Sequence, residues 1–201
     1  MLTSQKADYS FDLGIKGREL PLQQYGRRDE IPIADSEIWQ VYRGVVQLSK
    51  IRQDGTEVVL GWITANGAFS GCIDDSMSYR AVALSDVYIK RYSFRDVMRN
   101  PPLAKQFFTQ FSDRLIKSQQ LLAIITARSV EERLKQLLLM LKQEMGQSVE
   151  GGVRLQVRFT HQHLAEAVNT TRVTVTRILG SLQDRELIYF DRNRHIVIVS
   201  L

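Results

Sequence analysis

Apolar and polar residues alternate through Ile38, Trp39, Gln40, Val41 and Tyr42, and an apolar run follows in Val58, Val59, Leu60, Gly61, Trp62 and Ile63. A period of two sends successive side chains to opposite faces of an extended chain, so residues from about 19 to 92 read as β-strands. Gly44, Asp54-Gly55 and Asn66-Gly67 supply turn chemistry between them. The predicted arrangement is an antiparallel β-roll or sandwich.

Beyond it the period changes. Residues 94–99 read as a short helix, and Asn100-Pro101 offers an N-cap followed by proline at the first helical position, so a long helix should start there. Within it Phe108, Phe111, Leu115, Ser118, Leu122 and Ile125 alternate spacings of three and four residues. Such a stripe forms a two-helix seam, which predicts a dimer helix; it would also suit packing on the chain's own β-roll. Ser129, with Glu132 three residues on, predicts a capping box, a hinge and a domain boundary. Leu134, Leu137, Leu138 and Leu141 make the apolar face of the next helix, and Gly146 and Gly151-Gly152 bound a loop after it. The chain thus divides into 1–99, a β-roll; 100–128, the dimerisation helix; and 129–201, a C-terminal domain.

Residues 160–182 have the spacing of two short helices packed at a steep angle. Leu164 and Val168 form the inner face of the first, Val175, Ile178 and Leu182 that of the second, and Ala165 is small where they cross. Asn169 sits at the tight turn, where a positive φ is expected and asparagine is tolerated next after glycine. Thr170 or Thr171 caps the second helix, and Arg172, Val173, Thr176 and Arg177 then point away from its buried face. Arginine can grip guanine O6 and N7, valine and threonine methyls can meet a thymine methyl, and hydroxyls near a helix N-terminus can bond phosphate. Leu187 to Phe190 and Ile196 to Val199 flank the basic tip Asp191-Arg192-Asn193-Arg194-His195, a β-hairpin wing. A helical hairpin of purely structural role is the duller alternative.

Composition adds limits. A net charge of +5 and a pI near 9.4 suit a polyanionic partner, although 24% charged residues of mixed sign is ordinary. The single cysteine, Cys72, excludes an internal disulfide framework, a cysteine-rich zinc site and a cysteine-held iron–sulfur cluster within one chain. Lys6, Asp8, Asp12, Lys16, Arg18 and Glu19 break up the first twenty residues, so no signal peptide is read there, and no run approaches the roughly 20 apolar residues of a membrane span. A reducing cytoplasm fits. An enzyme would need a nucleophile with its base, a metal cluster or a phosphate-cradling glycine loop. The glycines are dispersed, and His161 and His163 lie two apart at a helix start, where they share no face. Neither catalysis nor a cofactor is expected.

On these residues the chain resembles the CRP/FNR family of transcription regulators, over nearly its whole length. The run Thr171-Arg172-Val173-Thr174-Val175-Thr176-Arg177 resembles most closely that of the cyanobacterial nitrogen-control regulators. The resemblance implies an α+β fold: an N-terminal antiparallel β-roll of cyclic-nucleotide-binding type, a long dimerisation helix and a C-terminal winged helix-turn-helix. It implies that Arg172 reads guanine, that Arg177 helps at the neighbouring step, and that Val173, where the cyclic-AMP receptor protein has glutamate, removes a demand for cytosine. A palindrome with GTA-like and TAC-like arms one DNA turn apart would follow. Thr160, His161, Thr170, Thr171, Thr174, Thr176, Arg192 and Arg194 complete the implied contact set. The implied partners are double-stranded DNA, a second copy of the chain, and RNA polymerase, for which the loop 147–152 is the implied contact.

The sensor half departs from its family. The family's phosphate-binding cassette carries a Gly-Glu pair and, further on, an Arg-Ser pair; the stretch 69–81 here is short, with Cys72 in place of the glutamate and Met77 in place of the arginine. Asp74 and Asp75 would oppose an anion, so cyclic nucleotide is not expected; Arg80 is the substitute if the deletion shifts the register. For 2-oxoglutarate, Arg128 matches the second carboxylate clamp near the end of the long helix, but Met77 fails the first. A haem on Cys72 would need a second ligand, and His161, His163 and His195 all fall in the DNA-binding half. The two aspartates should raise the Cys72 thiol pKa, which favours an inert cysteine over a redox sensor. The leading expectation is a regulator without a small-molecule effector; the alternative is gating by 2-oxoglutarate or by redox state through Cys72.

Overall fold

A computed structural model describes residues 21–34, 36–71 and 78–201. Cys72, Asp74, Asp75 and Met77 therefore lie outside the described residues. Among the described residues, seven strands come first: β1 (Gln23–Tyr25), β2 (Glu37–Arg43), β3 (Val46–Ile51), β4 (Glu57–Ile63), β5 (Ala68–Ser70), β6 (Ser78–Ala83) and β7 (Val87–Ser93). They form two antiparallel sheets, in the orders β1-β7-β2-β5 and β4-β3-β6. The alternation that marked β2 has a simple cause: Trp39 and Val41 go inward with Leu48, Phe69, Val87 and Ile89, and the Trp39 and Phe69 rings stack 6.4 Å apart. Each such side chain contributes about 1.5–3 kcal/mol on burial. The β2–β3 turn depends on Gly44, whose φ is 90° and whose missing Cβ would stand 2.3 Å from the Asp86 carbonyl oxygen.

Helix α1 (Phe94–Met98) leads into α2 (Pro101–Ile125). Asn100 caps α2 by accepting from the Leu103 N–H at 3.2 Å, with proline at its first positions. The predicted stripe on α2 divides between two environments. Phe111 packs with Phe107 beneath the roll, Ile125 joins the C-terminal core, and the Ser118 hydroxyl donates to the Leu60 carbonyl at 3.4 Å. Phe108, Leu115 and Leu122, seven residues apart, stay 75%, 60% and 59% exposed, and Ile116 is exposed beside them. Packing on the chain's own roll and core thus accounts for Phe111, Ser118 and Ile125, while the helix turns another edge outward.

The C-terminal part holds α3 (Val130–Met145), β8 (Gly146–Val149), β9 (Gly152–Leu155), α4 (His161–Ala167), α5 (Arg172–Asp184), β10 (Ile188–Phe190) and β11 (Ile196–Ile198). Ser129 caps α3 through the Glu132 N–H at 3.1 Å, but the return arm of the expected capping box is absent because Gln136 takes the Glu132 carboxylate at 2.6 Å. The stretch 147–152, read from its glycines as a loop, is instead a hairpin of β8 and β9 that extends the wing sheet in the order β10-β11-β9-β8. Glu150 and Gly151 make its turn, Gly151 at φ 81°, and Gly152, at φ 154°, opens β9 opposite Val149. The role of the two glycines is a tight reversal rather than a loop boundary.

One apolar core runs from the roll into this domain. Val45, Val59, Trp62 and Leu84 join Leu121 and Ile124 of α2, Leu134, Leu137, Leu138 and Leu141 of α3, and the inner faces of α4 and α5. Trp62 meets Phe159 edge-on at 5.7 Å, and the Arg27 guanidinium donates to the Arg158 carbonyl at 3.0 Å. The helix-turn-helix is thereby seated against its own roll. No described helix is long and apolar enough to cross a membrane.

Candidate nucleic-acid interface

Local chemistry fixes the helix-turn-helix. Thr160 caps α4 by accepting from the His163 N–H at 3.1 Å, and the His163 ring returns a weak acceptor to the Thr160 N–H at 3.5 Å. The reciprocal cap that sequence reasoning assigned to α3 thus occurs here, with histidine in the place usually held by glutamate or glutamine. Asn169 takes φ 51° at the turn, as its residue type allows. Thr171, not Thr170, caps α5, accepting from the Thr174 N–H at 3.2 Å; Thr170 is half-buried, its N–H donating to the Ala165 carbonyl. Leu164, Ala165, Val168, Val175, Ile178 and Leu182 are all buried between the two helices.

With that face spent, α5 offers Arg172, Val173, Thr176 and Arg177 outward, and Val173 is 79% exposed. An apolar side chain so far from the core has no packing role, which leaves it available to a partner. Thr174 is half-buried and shares its hydroxyl with Thr171 at 3.0 Å. Arg177 acts electrostatically on Glu131 at the start of α3, whose carboxyl is held low mainly by Lys135, then by Arg185 and Arg177.

The wing is organised by Asp191, a role sequence reasoning missed. Its carboxylate accepts from the backbone N–H groups of Asn193 and His195 at 2.9 and 2.8 Å and pairs with Arg154 at 2.9 Å. Slight desolvation opposes ionisation, but these bonds and the charges of His195 and Arg154 prevail and lower its pKa. The tip then turns through Arg194 at φ 63°, leaving Arg192 and Arg194 exposed. Between wing and α5 sits His161, its Nδ1 2.7 Å from the Thr176 hydroxyl and its ring 6.2 Å from that of Phe190. Burial first, then Arg172 and Arg194, depress its pKa. Three elements therefore converge their cationic or protonatable side chains at one place.

Of the sensor candidates, Arg80 and Arg128 are among the described residues. Arg80, half-buried on β6, is engaged by Glu30 at 3.1 Å and Glu57 at 3.5 Å. Successive strand residues face opposite ways, so it is Tyr79 that meets α2, where the Arg114 guanidinium donates to its hydroxyl at 2.7 Å. Two carboxylates thus hold the arginine that the sequence offered in place of the cassette arginine. Arg128 is exposed in the bend between α2 and α3. Among the described residues, no three histidine, cysteine, aspartate or glutamate side chains come together as a metal site.

Roll, long helix and an outward basic helix beside a wing define a winged helix-turn-helix protein with an N-terminal β-roll. Residues 132–201 match the Crp-like helix-turn-helix domain. The global nitrogen regulator of Synechococcus elongatus is 28% identical over 196 residues, covering 91% of this chain and 88% of that one. A CRP-family transcriptional regulator of Thermus thermophilus shares the fold with a TM-score of 0.74 at 16% identity, over 89% of this chain and 92% of that one. FixK2 of Bradyrhizobium japonicum does so with a TM-score of 0.74 at 18% identity, over 90% and 93%. The chain is thus similar over most of its length to CRP/FNR-family transcription regulators, and its residues 132–201 carry the Crp-like helix-turn-helix domain.

Proposed function

We propose that the protein works in the cytoplasm as a homodimer that reads a palindromic promoter site with GTA-like and TAC-like arms. The observation that carries this is the outward set on α5: Arg172, Val173, Thr176 and Arg177 over a fully buried inner stripe. Arginine at the N-terminal end of such a helix reaches guanine O6 and N7, and the valine and threonine methyls meet thymine. Thr160, His161, Thr171, Arg192 and Arg194 flank it where phosphates would pass, and the positive end of the α5 dipole favours them. Thr170 and Thr174, both half-buried, make the weaker part of the set.

Dimerisation is supported by the heptad of exposed Phe108, Leu115 and Leu122 on α2. A two-fold axis along that helix would set the half-sites one helical turn apart. We infer no cyclic nucleotide response, since Arg80 is already neutralised by Glu30 and Glu57. RNA polymerase is the further partner proposed, at the β8–β9 hairpin. In vitro selection from a random duplex pool tests the reading: the expected product is a palindrome with those arms, and enrichment of no common motif would overturn it.

A further inference from the structure

We propose that His161 is a proton-gated phosphate contact, so that DNA binding takes up a proton and tightens as pH falls. This rests on the reading of α5 and the wing as the DNA-binding face. The Thr176 hydroxyl lies 2.9 Å from the Arg172 carbonyl one turn back and 2.7 Å from His161 Nδ1. With the hydroxyl donating to the carbonyl, the neutral ring carries its hydrogen on Nδ1 and leaves Nε2 a bare acceptor.

The surroundings decide when that changes. From α5 the charged group acting on the ring is Arg172, and from the wing it is Arg194; no carboxylate is among the groups shifting it. On its own helix Glu166 is held by Gln162 at 2.8 Å. In the free protein the imidazole therefore stays neutral near pH 7, because a third cation there would meet two arginines and partial desolvation. A DNA backbone reverses both conditions. A phosphate oxygen cannot bond a lone pair on Nε2, but it can accept a charge-assisted bond from Nε2–H of the imidazolium, and its charge offsets the arginines. The other histidines are engaged elsewhere: His163 in the α4 cap, with Arg27, Arg28 and Glu57 of the roll around it, and His195 on the Leu155 carbonyl at 2.8 Å.

The sign follows from linkage. With a bound-state pKa above the free-state one, each His161 raises affinity by up to about tenfold for each pH unit of fall between the two values. A dimer with two of them gains up to about a hundredfold per unit, and affinity is flat outside that range. The test is anisotropy titration of the full-length protein with its selected, fluorescein-labelled duplex at fixed salt from pH 5.5 to 8, with folding followed by circular dichroism. Wild type should bind several-fold more tightly at pH 6 than at pH 8. His161→Asn keeps a donor for Thr176 but has no Nε2, and should bind with little pH dependence. His161→Arg, a permanent cation, should bind tightly at both ends of the range. His163→Gln and His195→Gln should keep the wild-type slope. A wild-type slope near zero, or the same slope in His161→Asn, overturns the proton gate while leaving the DNA-binding face intact. Absence of specific binding at every pH overturns that face itself, and the gate with it.

Discussion

Truncating Leu115 to alanine separates a helix that pairs with a second copy from one that merely lies on its own roll. Leu115 is 60% exposed in the single chain. Full burial of a leucine contributes about 1.5–3 kcal/mol, so covering the remaining surface contributes about 1–2 kcal/mol. A two-fold interface repeats the contact, and the Cβ survives truncation, so the dimer should lose about 2–3 kcal/mol in all. That is roughly a 30- to 150-fold rise in the dimer dissociation constant. Sedimentation equilibrium across a concentration series reads this directly. Phe111 supplies the contrast, because its ring packs 6.4 Å from Phe107 inside the chain's own cluster. Phe111→Ala should lower the melting temperature more than it weakens association. An unchanged dissociation constant in Leu115→Ala, with the fold intact, would refute the seam.

Two further outcomes test the packing. Glu144 of α3 has only 7% of its side chain exposed, and burial raises its pKa above the ordinary 4.5 while Lys117 of α2, 3.3 Å away, pulls the other way. A pKa raised by folding gives stability that is complete below the unfolded value and is lost as pH rises through the folded one. The stability of Glu144→Gln relative to wild type should therefore climb with pH above about 4.5 in urea unfolding, and a gap independent of pH would contradict the assignment. Gly44→Ala should cost about 1–3 kcal/mol through backbone strain alone, and lower the melting temperature by several degrees. An unchanged melting temperature would mean the β2–β3 turn tolerates a Cβ.

The helix-turn-helix was legible in the sequence because its signals are local: a threonine cap at each helix start, an asparagine at the turn, and apolar residues three and four apart. The β-roll was legible in outline for the same reason, through alternation in β2 and turn residues at Gly44, Gly55 and Asn66. The β8–β9 hairpin was not, since GQSV carries no apolar alternation and the glycines flanking it read as loop, although Val153, Arg154 and Leu155 do alternate. The ion pair of Arg80 escaped because its partner Glu30 is 50 residues away, outside the named strands, where no pattern within β6 reveals it. The Trp62–Phe159 contact, which seats the DNA-binding domain on the roll, is equally long-range. For His161 the sequence offered a place in the contact set. Its bond to Thr176 depends on how steeply α4 and α5 cross, which spacing alone leaves unspecified.

The central claim, that α5 reads bases through Arg172, is tested most directly by competition binding of wild type and Arg172→Ala. The competitors are the selected duplex and the same duplex with the guanine of each GTA arm replaced. Arg172→Ala should lose about 1–3 kcal/mol per half-site on the selected duplex and should no longer distinguish it from the altered one. Equal affinity and undiminished preference in the variant would contradict the account.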